Sequence, residues 1–338
     1  MRSHLRAAVV LLLAVGLVAL FLRHVDLRGV GRDIVRAHPM WLAMGLGATL
    51  ANLAIRSYRW RYLLEPLGQT TFGESFRATA VGFAASTVLP ARAGEVIRPY
   101  FLSRVASRAR MTATGAFATI IVERVLDVIT VLLLVASYVL VFGRDVAAAR
   151  PVAFAWLTWI SLTAGAAVLA AVIVLVWLAG RPDRLGSTMR QVARFAPAFA
   201  ALLARLVENF AHGLAIVRRP SRLLVALAWS FPLWLSIAFT AWSVMKAFGI
   251  AIPFTGSFAI VALLALGVAV PTPGSVGGFH TAFRYGATTF FGAPEDAAVG
   301  AAIVAHLYSV VPTLVLGTFF AAQAGLSMSQ LSTLSAQR

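Results

Sequence analysis

The sequence predicts an all-α, polytopic integral membrane protein with about six full transmembrane helices and two opposed re-entrant helical hairpins in an inverted repeat. Three observations carry this. Of 338 residues, 60% are hydrophobic and only 12% are charged, where soluble domains carry about 25% charged residues. Apolar runs with charged flanks recur at lengths of roughly 18 residues or more, enough to cross about 30 Å of hydrocarbon. Two further apolar runs are too short to cross and end in clusters of Pro and Gly.

Taken in order, Arg2 and Arg6 lead into an apolar stretch, residues 5–22. It ends in Phe21-Leu22-Arg23-His24 and lacks the small-x-small site of a cleavable signal, so it reads as a retained first span. Residues 40–58 form the second span. Residues 76–89 run apolar into Leu89-Pro90-Ala91-Arg92-Ala93-Gly94-Glu95. Proline removes a backbone donor and glycine permits a turn, so this segment reads as a half-helix, a break and a returning half. Such backbone is tolerated at membrane depth only where protein or water surrounds it. Full spans follow at 114–141, 152–178 and 223–247. Residues 257–270 repeat the short apolar half and run into Pro271-Thr272-Pro273-Gly274-Ser275-Val276-Gly277-Gly278. Residues 296–323 form the sixth span.

Between the fourth and fifth spans, residues 181–220 are too polar to cross. Phe195, Phe199, Leu202, Leu206 and Phe210 fall near one side of a helix, and Arg194, Arg205, Glu208 and His212 lie off it. That pattern fits a helix lying in the interface with arginines toward anionic head groups. A helix packed on neighbouring cytoplasmic loops would show it too. The chain thus divides into N-terminal helices (1–73), a first repeat (74–141), connecting spans (142–256), a second repeat (257–324) and a tail (325–338).

The net charge is +17, from 28 Arg and one Lys against 12 acids. The arginines lie in short loops between apolar runs, which points to anionic lipid and not to nucleic acid. With the two broken segments returning to their own sides, 20 basic residues fall on one face and 8 on the other. The more basic face is cytoplasmic by the positive-inside rule, with both termini inside. The absence of cysteine excludes disulfides, thiolate metal sites and cysteine nucleophiles.

Laid over one another, the broken segments keep a constant offset of 183 residues. Pro90 falls on Pro273, Gly94 on Gly277, Ile120 on Ile303, Thr130 on Thr313 and Glu123 on His306. Three spans separate the breaks, and an odd number inverts the second copy. Inverted repeats with broken helices are how many transporters build a site near the bilayer midplane.

Three groups could carry chemistry. Glu123, Arg124 and Asp127 lie inside a span that starts near Thr114, Glu123 about 14 Å deep, where an unpaired charge costs at least about 2.5 kcal/mol. Arg124 reaches Asp127 at i, i+3, which leaves Glu123 as the carboxylate in excess, a candidate for titration or head-group contact. A purely structural Arg124–Asp127 pair is the alternative. At the first break, Arg92, Glu95 and Arg98 offer guanidinium groups that bind phosphate bidentately, beside a half-helix that starts after Gly94. At the end of the second span Asn52, Arg56, Arg59, Trp60 and Arg61 fit interfacial anchoring, with Arg56 or Arg59 as a further phosphate contact. His280 and His306 are the other intramembrane ionisable groups, His306 reading best as a satisfied core histidine. No spacing fits a metal site. There is no nucleotide-binding loop, so ATP-driven transport by this chain alone is not expected.

At these motifs the sequence resembles the lysylphosphatidylglycerol synthase transmembrane, or flippase-like, family. The carrying residues are Arg56-x-x-Arg59-Trp60, Leu89-Pro90-x-Arg92-x-Gly94-Glu95-x-x-Arg98, Glu123-Arg124-x-x-Asp127 and Pro271-Thr272-Pro273-Gly274-x-x-Gly277. Together they span nearly the whole chain. The resemblance implies a membrane domain that moves lipids, such as aminoacylated phosphatidylglycerol, between leaflets. Some relatives fuse this domain to a soluble aminoacyl-transferring domain or to a glycosyltransferase; here the chain ends soon after its last span, so no synthase activity is expected. The sequence departs from the family pattern in its second break, where Ser275 replaces a second Gly and His280 stands at the position of an acid.

The expected function is therefore that of a lipid translocator of a bacterial or archaeal cytoplasmic membrane. Its partners would be an anionic phospholipid and, as a separate protein, a lipid-modifying enzyme. No cofactor is implied, and the chain is not expected to be an enzyme. A proton-coupled carrier for a small anion, a membrane enzyme acting on a lipid phosphate and a non-transporting scaffold are the alternatives.

Overall fold

The computed structural model describes residues 27–89, 92–106, 111–149, 151–180, 219–269 and 272–325. The expected first span, the interfacial helix, the tail beyond 325, and Pro90 and Pro271 lie outside these residues. Among the described residues there are ten α-helices and no strand: α1 Leu27–Arg36, α2 Pro39–Leu64, α3 Phe72–Val88, α4 Gly94–Val105, α5 Ala113–Ala149, α6 Pro151–Gly180, α7 Pro220–Ala247, α8 Gly256–Ala269, α9 Gly278–Phe291 and α10 Glu295–Gln323.

Local chemistry sets the boundaries. Pro39 and Pro220 open α2 and α7 where a missing N–H costs nothing. α3 starts from a capping box: Glu74 N donates to Thr71 Oγ1 at 3.2 Å, and Thr71 N donates to Glu74 Oε2 at 2.7 Å. It stops at Leu89, whose φ of −96° and ψ of 144° are the extended values that a following proline imposes. α9 ends at Gly292, in the left-handed region at φ 63°.

Three helical segments are long and apolar enough to cross a membrane, Ala113–Val141 within α5, α7 and α10. They coincide with the spans expected at 114–141, 223–247 and 296–323. α2 and α6, of 26 and 30 residues, occupy the positions of the spans expected at 40–58 and 152–178. The segments on either side of the two breaks are short: 17 and 12 residues for α3 and α4, and 14 each for α8 and α9. All fall below the ~20 residues a spanning helix needs. Each pair packs on itself as a hairpin, α3 on α4 and α8 on α9.

The packing is that of two matching sets of four helices. α2 packs on α7, α3 on α10 and α5 on α8, and within each set the order of contacts is the same. Exchanging α2–α5 for α7–α10 maps these contacts onto one another. The first residues of the four pairs, Pro39 and Pro220, Phe72 and Gly256, Gly94 and Gly278, and Ala113 and Glu295, keep the offset of 183 to within two residues. The non-glycine residues with positive φ also correspond at that offset: Arg92 at 52° and Ser275 at 57°. The repeat is therefore larger than the sequence reading allowed, since α2 and α7, placed among the N-terminal and connecting helices, belong to it.

Both breaks arrive at the same place. A Cβ added to Gly274 would lie 3.5 Å from the Thr87 carbonyl at the end of α3, and His306 Nε2 of α10 lies 2.7 Å from the Gly274 carbonyl. Each hairpin closes over a pair of glycines. A Cβ on Gly94 would collide with the carbonyl of Gly82, and one on Gly267 with the carbonyl of Gly278.

These contacts predict that Gly94→Ala and Gly267→Ala each destabilise the folded protein by about 1–3 kcal/mol through overpacking. Gly73→Ala, where nothing lies within 4 Å of the added carbon, should be neutral or stabilising by up to about 1 kcal/mol. Thermal unfolding of detergent-solubilised variants measures the difference, and equal effects at all three positions would contradict the close packing.

Candidate functional site

Three helices deliver charge to one buried point, and a fourth adds neutral hydrogen-bond partners. Arg59 of α2 is fully buried; its Nη1 donates to Asp127 Oδ1 at 2.6 Å and to Ser230 Oγ at 2.7 Å, and its Nη2 donates to Glu123 Oε1 at 3.3 Å. Arg98 of α4 donates from Nη1 to the other oxygen of Glu123 at 2.8 Å. Trp234 Nε1 of α7 donates to Asp127 Oδ1 at 3.0 Å. The spacing of Glu123 and Asp127, one turn apart on α5, lets a single guanidinium bridge both.

This arrangement corrects two expectations. Glu123 is not the carboxylate in excess, because two guanidinium groups from distant parts of the chain reach it. The local Arg124–Asp127 pair exists only as a longer contact of 3.6 Å, and Arg124 lies 3.8 Å from Glu95. Trp60 is not an interfacial anchor: it is wholly buried, donates to Thr119 Oγ1 at 3.0 Å, and carries the Arg98 guanidinium 3.7 Å above its ring. Depth explains both outcomes, since charges in hydrocarbon are held by whatever partner reaches them across helices.

Beside this network lies a cavity of about 840 Å³. Its polar end is lined by Arg56, Arg92, Glu95, Arg98, Arg124 and Asp127; its apolar walls include Val131, Val135, Trp156, Leu263 and Phe283 from α5, α6, α8 and α9. Gly94 and Glu95, the first residues of α4, also face it, so the positive end of that helix points at the cavity.

Arg56 differs from its neighbours. It is 7% exposed and stands over the Phe83 ring at 5.1 Å. Among the described residues it has neither a hydrogen bond nor an ion pair. Arg98 Nε and Nη2 and Arg124 Nε likewise lack hydrogen-bond partners there. A buried guanidinium without a partner is costly, and an anion in the cavity would remove that cost.

The remaining expected residues fall elsewhere. Arg92 is 44% exposed at the first break, where it pairs with Glu95 at 3.7 Å. It and Arg98 therefore do not form one clamp, because Arg98 is turned inward and engaged by Glu123. Arg61 extends over Tyr58. The His280 and His306 rings lie with centroids 4.4 Å apart, tilted 55° to one another, and the Gly277 N–H points at His280 Nδ1. Together with the His306 contact to Gly274 they pin the second break, and Gly277 and Gly278 start α9. No group of three potential metal ligands occurs among the described residues. Ser230 and Trp234 escaped the sequence reading; their one signal is a polar residue and an indole one turn apart in an otherwise apolar span.

The family described as Lysylphosphatidylglycerol synthase TM region matches residues 7–317. The chain is 28% identical over 334 residues to the glycosyltransferase AglD of Haloferax volcanii, covering 91% of this chain and 52% of that protein. It is 22% identical over 196 residues to a UPF0104 membrane protein of Methanocaldococcus jannaschii, covering 56% of this chain and 54% of that protein. The chain spans about half the length of these curated relatives.

The buried network predicts strong coupling. Glu123→Gln should cost about 3–5 kcal/mol of stability by leaving Arg98 buried without its carboxylate, and Arg98→Gln should cost less, because Glu123 keeps Arg59. The double variant should cost less than the sum by about 1–3 kcal/mol. A double-mutant cycle from denaturation in detergent checks this, and additive losses would mean that the two groups do not meet.

Proposed function

The chain belongs to the lysylphosphatidylglycerol synthase TM region family, and on that membership we propose that it carries an anionic phospholipid or related lipid between the leaflets of a bacterial or archaeal cytoplasmic membrane. The observation that carries this reading is the amphipathic cavity with Arg56 buried in it and unpartnered among the described residues. A lipid is the molecule that matches one charged end and mostly apolar walls.

In this reading the head-group phosphate sits on Arg56. Arg98, Arg124 and the N-terminus of α4, which line the same cavity, complete its shell, and the acyl or prenyl chain lies along α5 and α8. Glu123 and Asp127 hold Arg59 and Arg98 in position. The two hairpins enter from opposite sides and meet near the bilayer midplane, so small movements of either expose the cavity to one leaflet or the other. A carrier for a small anion would have no use for the apolar wall. The transferase named for the Haloferax volcanii relative belongs to a protein about twice as long, and the catalytic role of this chain is proposed as none. Six spans with cytoplasmic termini complete the topology.

Leaflet-selective measurement in proteoliposomes tests the reading. Wild type should move a labelled anionic phospholipid without altering it, and Arg56→Gln should slow movement at least tenfold in folded protein. A changed product would make the protein an enzyme, and unchanged movement in the variant would remove Arg56 from the path.

Topology has its own test in this cysteine-free chain. Thr272→Cys should react with impermeant reagents from outside and Ala93→Cys from the cytoplasm. Labelling of both from one side would refute opposed hairpins.

A further inference from the structure

The charge of the cavity identifies the class of head group. Among the lining residues Arg56, Arg92, Arg98 and Arg124 face Glu95 and Asp127, four guanidinium groups against two carboxylates. Behind them Arg59 and Glu123 cancel each other. The formal charge left over is therefore +2, and it remains +2 whether or not the second layer is counted. Guanidinium groups stay protonated in proteins, so this excess does not disappear by titration of the arginines. Arg92 and Glu95, the pair at the first break, cancel each other, so the same excess rests on Arg56, Arg98 and Arg124 against Asp127, and an anion of charge close to −2 balances it.

We propose that the cargo carries a terminal phosphomonoester, a dianion near neutral pH, bound on Arg56. The inference rests on the reading of this cavity as a lipid head-group site, and it narrows that reading. A phosphomonoester carries about −1.5 to −2 at pH 7, with a second pKa near 6, and three terminal oxygens. Those oxygens suit the guanidinium of Arg56, which has no hydrogen bond among the described residues, with Arg98 and Arg124 lining the same cavity. A phosphodiester such as phosphatidylglycerol brings one charge and two free oxygens, leaving one positive charge unbalanced. Lysylphosphatidylglycerol, with two ammonium groups on one phosphate, is a net cation and would raise the charge of the cavity. The family's name thus points to a cargo whose charge this cavity opposes.

Binding to the purified full chain in neutral detergent at pH 8 decides the matter, with short-chain phosphatidic acid, phosphatidylglycerol, lysylphosphatidylglycerol and inorganic phosphate as probes. Phosphatidic acid should bind at least tenfold more tightly than phosphatidylglycerol, and lysylphosphatidylglycerol should bind most weakly. Inorganic phosphate should bind far more weakly than phosphatidic acid, because it leaves the apolar wall empty. Arg56→Gln should lower phosphatidic acid affinity at least tenfold and bring its ratio to phosphatidylglycerol toward one. Arg56→Lys, which keeps charge without the fork, should retain much of that ratio. If Arg56→Gln does not fold, Arg92→Gln removes one charge from the same cavity at an exposed position and should also shrink the ratio. Equal binding of phosphatidic acid and phosphatidylglycerol, both weakened by Arg56→Gln, would overturn the dianion and leave the lipid reading standing. Tightest binding of lysylphosphatidylglycerol would overturn the charge argument outright. Inorganic phosphate binding as tightly as phosphatidic acid would overturn the lipid reading itself in favour of a small-anion site.

Discussion

One guanidinium organises this molecule. Arg59 projects from α2 into the buried interior and bonds at once to Asp127, Glu123 and Ser230. A charge at that depth folds only if partners meet it, so α2, α5 and α7 must arrive in one register. Glu123, engaged on one oxygen, uses the other to draw in Arg98 and with it the short helix α4. The first break is thereby anchored from inside the protein. Its exposed turn is left free to carry Arg92, whose backbone sits in the left-handed region.

The second half of the molecule builds the same architecture without the charges. Carried forward by 183 residues, Arg56, Arg59, Arg98, Glu123 and Asp127 fall on Phe239, Trp242, Thr281, His306 and Val310. There the ring systems take over. Trp242 donates to the Ile252 carbonyl and packs against Trp41 and Phe254, and His306 holds the Gly274 carbonyl. The scaffold is nearly two-fold and the electrostatics are not. A symmetric pair of charged networks would double the desolvation cost, whereas one charged half packed on one aromatic half places a single polar end beside apolar walls.

The sequence made the helices and both breaks legible because apolar run length and Pro/Gly punctuation are local properties. The short apolar segments read at 76–89 and 257–270 correspond to the helices α3 and α8, within a few residues of those bounds. The pairing of the charges was not legible. Spacing along one helix suggested Arg124 for Asp127, while the partners that bind most closely, Arg59 and Arg98, stand 68 and 25 residues away from the carboxylates they meet. Trp60 carried the same ambiguity, since an indole near the end of a span looks alike whether it faces lipid head groups or an arginine. Arg56 and Arg59 read alike in sequence; what separates them, the lack of a hydrogen-bond or ion-pair partner for Arg56 among the described residues, exists only once the helices are packed.

The second break keeps its shape against the preference of its own residues. The φ of 57° at Ser275 is a conformation glycine adopts at lower cost, so the turn is kept by its surroundings. Among those surroundings is the bond from His306 to Gly274. His280 adds to them, its ring centroid 4.4 Å from that of His306, which faces the cavity. The second break is thus held by imidazoles and a backbone carbonyl where the first is held by guanidinium groups and a carboxylate, so the charged partners of the cavity come from one half of the molecule and its neutral closure from the other.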